Sequence, residues 1–168
     1  MASLILLSAF PAALIIAALN DVYEFKIPNW TSITLIVSYI VAGVSLGASF
    51  HIMSEGLLLG CAALAVGFAL FALKYLGGGD AKLLAAAAPW IGLSGLGSFI
   101  IYVAFSGAAL AAFLLVFRNM PALPFYASHP WLMRLHERPR DMPYGVAIAA
   151  GALLSFPQTP FFQLAFGG

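Results

Sequence analysis

Charged residues are scarce in this sequence. Of 168 residues, seven are Lys or Arg and six are Asp or Glu, whereas a soluble domain carries roughly 25% charged residues because its surface must face water. Hydrophobic residues make up 63% of the chain, and the mean hydropathy is +1.03. This composition excludes a soluble enzyme domain and a disordered tail. It predicts a polytopic integral membrane protein.

Cysteines and clusters of basic residues are lacking as well. The single cysteine, Cys61, lies in an apolar run, so neither a disulfide nor a cysteine-based metal site can form within one chain. Three scattered histidines (His51, His129 and His136) show no metal-ligand spacing, and we predict no metal site. The net charge of +1 leaves no basic patch to neutralise phosphates, which argues against nucleic acid as a partner.

Long apolar runs are present instead. Because a spanning helix needs about 20 mostly apolar residues, we predict an all-α fold with about six transmembrane helices in a single domain, residues 1–168. The predicted spans are residues 2–20, 30–48, 56–76, 81–96, 99–117 and 143–164. The first run contains no Lys or Arg, unlike the basic start of a signal peptide, so we interpret it as a retained span.

The positions of the basic residues favour six spans over five. Only the turn-like stretch 92–98 separates the fourth predicted span from the fifth. Six spans place all seven Lys and Arg residues on one side of the membrane, whereas five spans split them three against four. Because basic residues concentrate in cytoplasmic loops, we predict six spans with both termini outside and a long cytoplasmic loop at 118–142.

The long loop 118–142 has two interpretations. Residues 129–138 form either a basic linker or a short interfacial helix. In the helical interpretation Trp131, Leu132 and Leu135 enter the lipid, and the neighbouring arginines extend to the membrane surface.

Two of the acidic residues stand at the cytoplasmic edges of predicted spans. Asp21 follows the first span, and Asp80 follows three consecutive glycines, 77–79. An ionisable group at such a depth is costly and is a functional candidate. The glycines lose much conformational entropy on folding. They indicate either a peptide backbone that approaches Asp80 closely or a flexible turn in which Asp80 caps a helix.

Three motifs together resemble those of one enzyme family. Asp21 precedes Ile27-Pro28-Asn29, Gly77-x-Gly79-Asp80-x-Lys82 opens a later span, and Pro143-Tyr144-Gly145 opens the last. In this order they resemble the type IV prepilin leader peptidases, integral-membrane aspartic proteases of the Gly-x-Gly-Asp kind, over residues 21–151. The loop after the first span is short and has no paired cysteines. The chain therefore resembles the short, peptidase-only type associated with Flp pili.

The resemblance implies an aspartic endopeptidase with Asp21 and Asp80 as its catalytic pair. One carboxylate of such a pair is ionised and activates water, while the other is protonated, since both cannot ionise cheaply. The implied substrate is a prepilin or pseudopilin precursor with a short basic leader, cleaved at the cytoplasmic face of the inner membrane. No metal or organic cofactor is implied, and the lipid bilayer is the other expected partner.

Seven further residues are candidates for supporting or substrate-binding roles. They are Gly77, Gly79, Lys82, Pro28, Asn29, Tyr144 and Gly145. Lys82 either anchors its helix at the interface or stabilises the Asp80 carboxylate, and Asn29 either starts the second helix or orients Asp21. Tyr144 either lines the substrate cleft or belongs to an aromatic belt, while Gly145 permits close approach.

Other functions compatible with two membrane-edge acids stay open. A preflagellin peptidase and a signal-peptide-peptidase-like protease are the nearest alternatives, although the acids of the latter kind lie inside spans. A small proton-coupled transporter would be expected to show internal repeats and acids nearer mid-span, and neither is present. A non-catalytic scaffold leaves the three glycines without an evident use.

Overall fold

A computed structural model describes residues 2–121, 124–137 and 142–166 of the chain. Every regular element within those ranges is helical, which confirms the all-α prediction. The α-helices are α1 (Ala2–Glu24), α2 (Asn29–Ser45), α3 (Phe50–Ala72), α4 (Gly78–Asn119), α5 (Pro130–Glu137), α6 (Tyr144–Ser155) and α7 (Pro160–Phe166). Short 3₁₀ turns at Pro124–Ser128 and Phe156–Gln158 precede α5 and α7.

Several helices are long and apolar enough to cross a membrane. Within the described residues three windows qualify: Leu7–Glu24, Phe50–Ala72 and Gly78–Asn119. The pair formed by Tyr144–Gln158 and Pro160–Phe166, bent by 43°, adds a fourth if it is one broken span. The helix α2 is apolar but has only 17 residues. The chain is therefore a helical membrane protein, and the count of six spans stays a prediction.

Small residues bring α3 into close contact with the first part of α4. A β-carbon added at Gly60 would lie 2.9 Å from Pro89 Cγ, and one added at Gly67 would lie 3.0 Å from Ala81 Cβ. Both glycines are buried. Because small residues let two helix backbones approach closely in a membrane, the alanine-rich start of α4 packs at a distance that larger side chains would prevent.

The helix α4 is interrupted at Gly92. Its φ of +65° lies in the left-handed region, which glycine enters without a steric penalty. The break leaves the amide of Leu93 without its helical acceptor, and the Glu55 carboxylate of α3 accepts that N–H at 3.1 Å. Glu55, in the second turn of α3, thus caps the second part of α4.

The two parts of α4, residues 78–91 and 93–119, run in opposite directions. Gly151 of α6 packs against Val103, and nearer the start of α6 a β-carbon at Gly107 would lie 3.8 Å from Ala147 Cβ. The second part is therefore antiparallel to α6. The first residues of α6 lie beside the start of α4, as described below, so α6 and the first part of α4 run in the same direction. The predicted turn at 92–98 is thus confined to Gly92, since residues 93–98 are helical.

The helices α1 and α3 extend beyond the membrane spans that were predicted from the sequence. The first span was predicted to end at residue 20, but α1 continues to Glu24, so Asp21 lies within its last turn. The third was predicted to begin at residue 56, but α3 begins at Phe50 because the Ser49 side chain accepts the N–H of Ile52 at 3.3 Å and caps the helix. The cap at Ser49, which composition does not report, explains the earlier start of α3.

The short helix α5 lies against the protein. Of the two interpretations of the long loop, the structure shows a short helix, Pro130–Glu137, and residues 138–141 lie outside the described part of the chain. Leu135 was predicted to face lipid but is buried, and its carbonyl accepts a hydrogen bond from Arg118 Nε at 2.9 Å. Arg134 donates to the carbonyl of Tyr23 at 2.7 Å. These contacts attach α5 to the ends of α1 and α4.

Candidate active site

The two acidic candidates meet where α1 ends and α4 begins. Asp21 and Asp80 together line two cavities, of about 520 and 550 Å³. Their carboxyl groups are close enough for their charges to interact. The two acidic residues that the sequence indicated therefore line the same cavities in the structure.

Asp21 is held by the first turn of α6. Its side chain is 6% exposed, and its Oδ2 accepts the backbone N–H of Gly145 at 2.7 Å. The first amides of a helix have no partner within the helix and readily bind an anionic group. A β-carbon at Gly145 would lie 2.9 Å from that same Oδ2. Gly145 thus leaves room for the Asp21 carboxylate, and a role of Gly145 in a substrate cleft stays a prediction.

Asp80 occupies the first turn of α4. Gly77 is the N-cap of that helix, and its backbone amide interacts favourably with the Asp80 carboxylate. An acidic side chain three positions after the N-cap commonly turns back in this way. A β-carbon at Gly77 would lie only 2.6 Å from Asp80 Oδ2. The space that glycine leaves at position 77 is therefore the space in which the Asp80 carboxylate lies.

Ile27 connects the two glycine positions and was missed in the sequence. A β-carbon at Gly79 would lie 3.2 Å from Ile27 Cβ, and one at Gly145 would lie 3.0 Å from Ile27 Cδ1. The Ile27 side chain thus packs between the first turns of α4 and α6, beside Asp21. Its place in the Ile-Pro-Asn motif was the available signal, but only Pro28 and Asn29 were given roles.

A polar pair, Lys82 and Asn29, lies at the edge of the site, and Pro28 directly precedes Asn29. Lys82 Nζ donates to Asn29 Oδ1 at 3.0 Å, and in the described ranges neither residue forms an ion pair or hydrogen bond with Asp21 or Asp80. The options in which Lys82 stabilises Asp80 and Asn29 orients Asp21 are therefore not seen. Asn29 starts α2 directly after its N-cap, Pro28.

The cavity of about 550 Å³ is bordered by strained turns and aromatic rings. Tyr144, 40% exposed, lines it together with Phe71 and other residues. Phe25 and Lys74, which also line it, have positive φ values of 54° and 63°. Such values are uncommon for residues other than glycine and cost on the order of 1–3 kcal/mol each. They turn the chain sharply where α1 and α3 end, beside the two acids.

A comparison with known families agrees with this geometry. The model of the type IV leader peptidase family matches residues 8–116, well over half of the chain and a range that contains both Asp21 and Asp80. The chain belongs to the type IV leader peptidase family. No curated protein and no solved structure gives a significant match.

Membership of the leader peptidase family identifies the chain as a membrane-bound peptidase. The matched range ends before α6. Gly145 is therefore assigned to the site by its hydrogen bond to Asp21. Among the described residues, no group of three or more His, Cys, Asp or Glu side chains is arranged to hold a metal ion.

Proposed function

We propose that this leader peptidase is an aspartic endopeptidase that removes the short basic leader from type IV, Flp-like prepilins. Asp21 and Asp80 are its catalytic pair. The observation that carries this proposal is that both carboxyls line the same two cavities at one end of the helix bundle. The family membership supports peptide hydrolysis as the reaction.

The chemistry follows from two neighbouring carboxyls that share one proton. The ionised group removes a proton from a water molecule in the cavity while the protonated group donates to the carbonyl oxygen of the peptide. The Gly145 amide keeps the Asp21 side chain in a fixed position. This arrangement lowers the entropic cost of aligning water and peptide, a factor that contributes strongly to rate.

The expected topology places this reaction at the cytoplasmic face of the inner membrane. A basic leader stays in the cytoplasm while the apolar helix that follows it enters the bilayer. The bond between them then lies at the level where α1 ends and α4 begins. Lys26 lines both cavities and Lys74 lines the one of about 550 Å³, as expected of a cytoplasmic end.

The decisive experiment replaces each acid by its neutral isostere. Asp21→Asn and Asp80→Asn should each abolish leader cleavage of a purified Flp-type prepilin, because an amide cannot exchange the required proton, while thermal stability is retained. Glu55→Gln, at the opposite end of α3, should process normally. Cleavage at the wild-type rate by either Asn variant would refute the catalytic pair.

A further inference from the structure

A third cavity, of about 630 Å³, lies between α2 and α3 with the first part of α4 behind it. We call it the α2–α3 groove. Ile33 and Val37 of α2, Cys61 and Leu64 of α3 and Ala86 of α4 are among its lining residues. Neither acid of the site lines it, and nothing in the proposed reaction accounts for it.

The groove is continuous with the catalytic cavities. Asn29 lines both the groove and the cavity of about 520 Å³ that contains Asp21 and Asp80. Lys82, which donates to Asn29, also lines the groove. A substrate segment that extends from the two acids past Asn29 would therefore enter the groove directly.

The surface of the groove suits an apolar helix. Ile33 is 62% exposed and Leu64 is 48% exposed, while small residues such as Gly60 and Ala85 line its depth. Small residues at a membrane interface allow a second helix to pack closely. No helix among the described residues covers these side chains.

One polar atom in the groove lacks a partner. The Oγ of Ser32, which lies one turn after the start of α2, is buried without a hydrogen-bond partner in the described part of the chain. A buried hydroxyl without a partner is unfavourable and needs an explanation. Rotation of the Ser32 side chain toward the groove would bring its hydroxyl to the backbone of a peptide that is not yet helical, whereas a lipid acyl chain offers no partner.

We propose that the α2–α3 groove binds the apolar helix that follows the cleaved bond of the substrate. This inference rests on the proposed function, since it concerns the same substrate. The extended residues next to the bond pass Asn29 and Ser32, and the first helical turns beyond them pack on α2 and α3. The groove then sets the position of the bond relative to Asp21 and Asp80.

The dimensions of the groove specify which substrate residues it contacts. A β-carbon at Gly60, next to Cys61, would lie 3.1 Å from the carbonyl oxygen of Ala85, so Cys61 lies at the level of Ala85. At 1.5 Å per helical residue, Ala85 is about 8 Å deeper than Asp80. Because the first substrate residues are extended, at about 3.3 Å per residue, and the following ones are helical, at about 1.5 Å per residue, substrate residues about three to five positions after the cleaved bond should pass Cys61.

The single cysteine of the chain makes this testable by disulfide cross-linking. Full-length Asp80→Asn protein in lipid bilayers keeps the precursor intact, and Flp-type prepilins carry one cysteine at successive positions after the cleaved bond. Cross-linking to Cys61 should be strongest about three to five residues after the bond and fall to background about 15 residues after it. A Cys61→Ser, Leu58→Cys protein is the control, because Leu58 is 70% exposed on α3 outside the groove.

The outcomes of the cross-linking separate a bound helix from random collision. A peak at the expected positions with Cys61 and background yield with the control supports the proposal. Equal yields along the whole substrate helix, or equal yields from the two proteins, would mean that lipid fills the groove and would overturn it.

A second experiment uses active protein and two substrates. Leu64→Trp fills the groove and should raise the KM for the full-length prepilin about tenfold, or about 1.4 kcal/mol, while kcat/KM for a short peptide that ends soon after the cleaved bond stays unchanged. Leu58→Trp should change neither. A parallel loss for both substrates, or no loss for either, contradicts the groove. Failure of the wild-type protein to cleave any prepilin would instead refute the proposed function itself.

Discussion

Glycine at two positions of this site makes room for a carboxylate, since a β-carbon at Gly77 would meet Asp80 Oδ2 and one at Gly145 would meet Asp21 Oδ2. At Gly145 the backbone amide also holds the carboxylate in place. Because a backbone amide at the start of a helix is fixed by the helix itself, it positions an acid more rigidly than a long side chain would. The glycines are therefore part of the mechanism that orients the acids.

The glycine before α4 provides a test of this argument. Gly77 has φ −71°, so alanine fits the backbone, but its β-carbon would displace the Asp80 carboxylate. A displacement of ~1 Å at a reacting centre can cost about 10²-fold in rate. We expect Gly77→Ala to lose about two orders of magnitude in single-turnover cleavage with an unchanged melting temperature.

Gly78→Ala is the matched control for that variant. A β-carbon there would meet only the ring of Phe71, at 3.4 Å, an ordinary contact, so cleavage should be close to that of the wild-type protein. Full activity of Gly77→Ala would show that the Asp80 carboxylate can reposition freely and that the glycine run is merely a turn.

The sequence identified the acids but not the reason for the second glycine of the motif. Gly79 was interpreted as space for the substrate backbone or as part of a flexible turn. The structure puts Ile27 against it at 3.2 Å. Sequence alone does not show this contact, because residues 27 and 79 meet only when the end of α1 packs beside the start of α4.

At the level of the helices, the reversal at Gly92 brings the second part of α4 alongside α6. One residue with positive φ changes the direction of the chain, and the Leu93 amide that it frees is satisfied by Glu55 from α3. Because this hydrogen bond is exposed, loss of the acceptor costs less than the ~1–3 kcal/mol of a buried unpaired amide. Glu55 therefore supports the turn from a neighbouring helix.

The cap at the reversal predicts a difference between two substitutions. Glu55→Ala removes the acceptor for Leu93 and should lower the free energy of unfolding by about 1 kcal/mol, as the loss of an N-cap does. Glu55→Gln keeps an oxygen at the same position and should be nearly neutral. Thermal melting of both variants in detergent checks this. His51→Ala is the control for the other contact that Glu55 makes, between its Oε2 and His51 Nδ1 at 3.7 Å. Equal melting temperatures for the Ala and Gln variants would rule out the cap.

The sequence predicts the positions of helices where apolar runs and turn residues mark their ends. The break between the fourth and fifth predicted spans was found because basic residues on its two sides favour a reversal. The extension of α1 to Glu24 was not found, because Asn20 and Asp21 are polar residues inside a helix. The polar side chain of Asp21 is tolerated there because it bonds to α6, a contact distant in sequence.

In the whole molecule, all contacts of the proposed site lie at one end of the bundle. Asp21 and Asp80 lie there, and Arg134 of α5 donates to Tyr23, two residues after Asp21. The Tyr23 and Trp131 rings also stack edge to face, 5.3 Å apart. The helix α5 thus braces the end of α1 from the side that is predicted to be cytoplasmic.

The opposite end of the bundle contains the Gly92 turn and α7. A β-carbon at Gly92 would lie 2.8 Å from Pro160 Cγ, and Phe161 packs on Trp90 with ring centroids 5.3 Å apart. Since Gly92 is separated from Asp80 by the whole first part of α4, α7 lies at the level farthest from the acids. This placement supports a crossing by the α6–α7 pair and argues against its return to the site.

That argument gives the last prediction, on membrane topology. In a Cys61→Ser background, single cysteines at residues 26 and 74 should react with a membrane-impermeant thiol reagent from the cytoplasmic side, and cysteines at residues 47 and 164 should react from the outer side. Cytoplasmic labelling at 164 together with the other three results would show that α6 and α7 form a re-entrant hairpin. The number of complete crossings would then be odd, and residues 160–166 would have to reach the cytoplasmic face despite their contacts with Gly92 and Trp90.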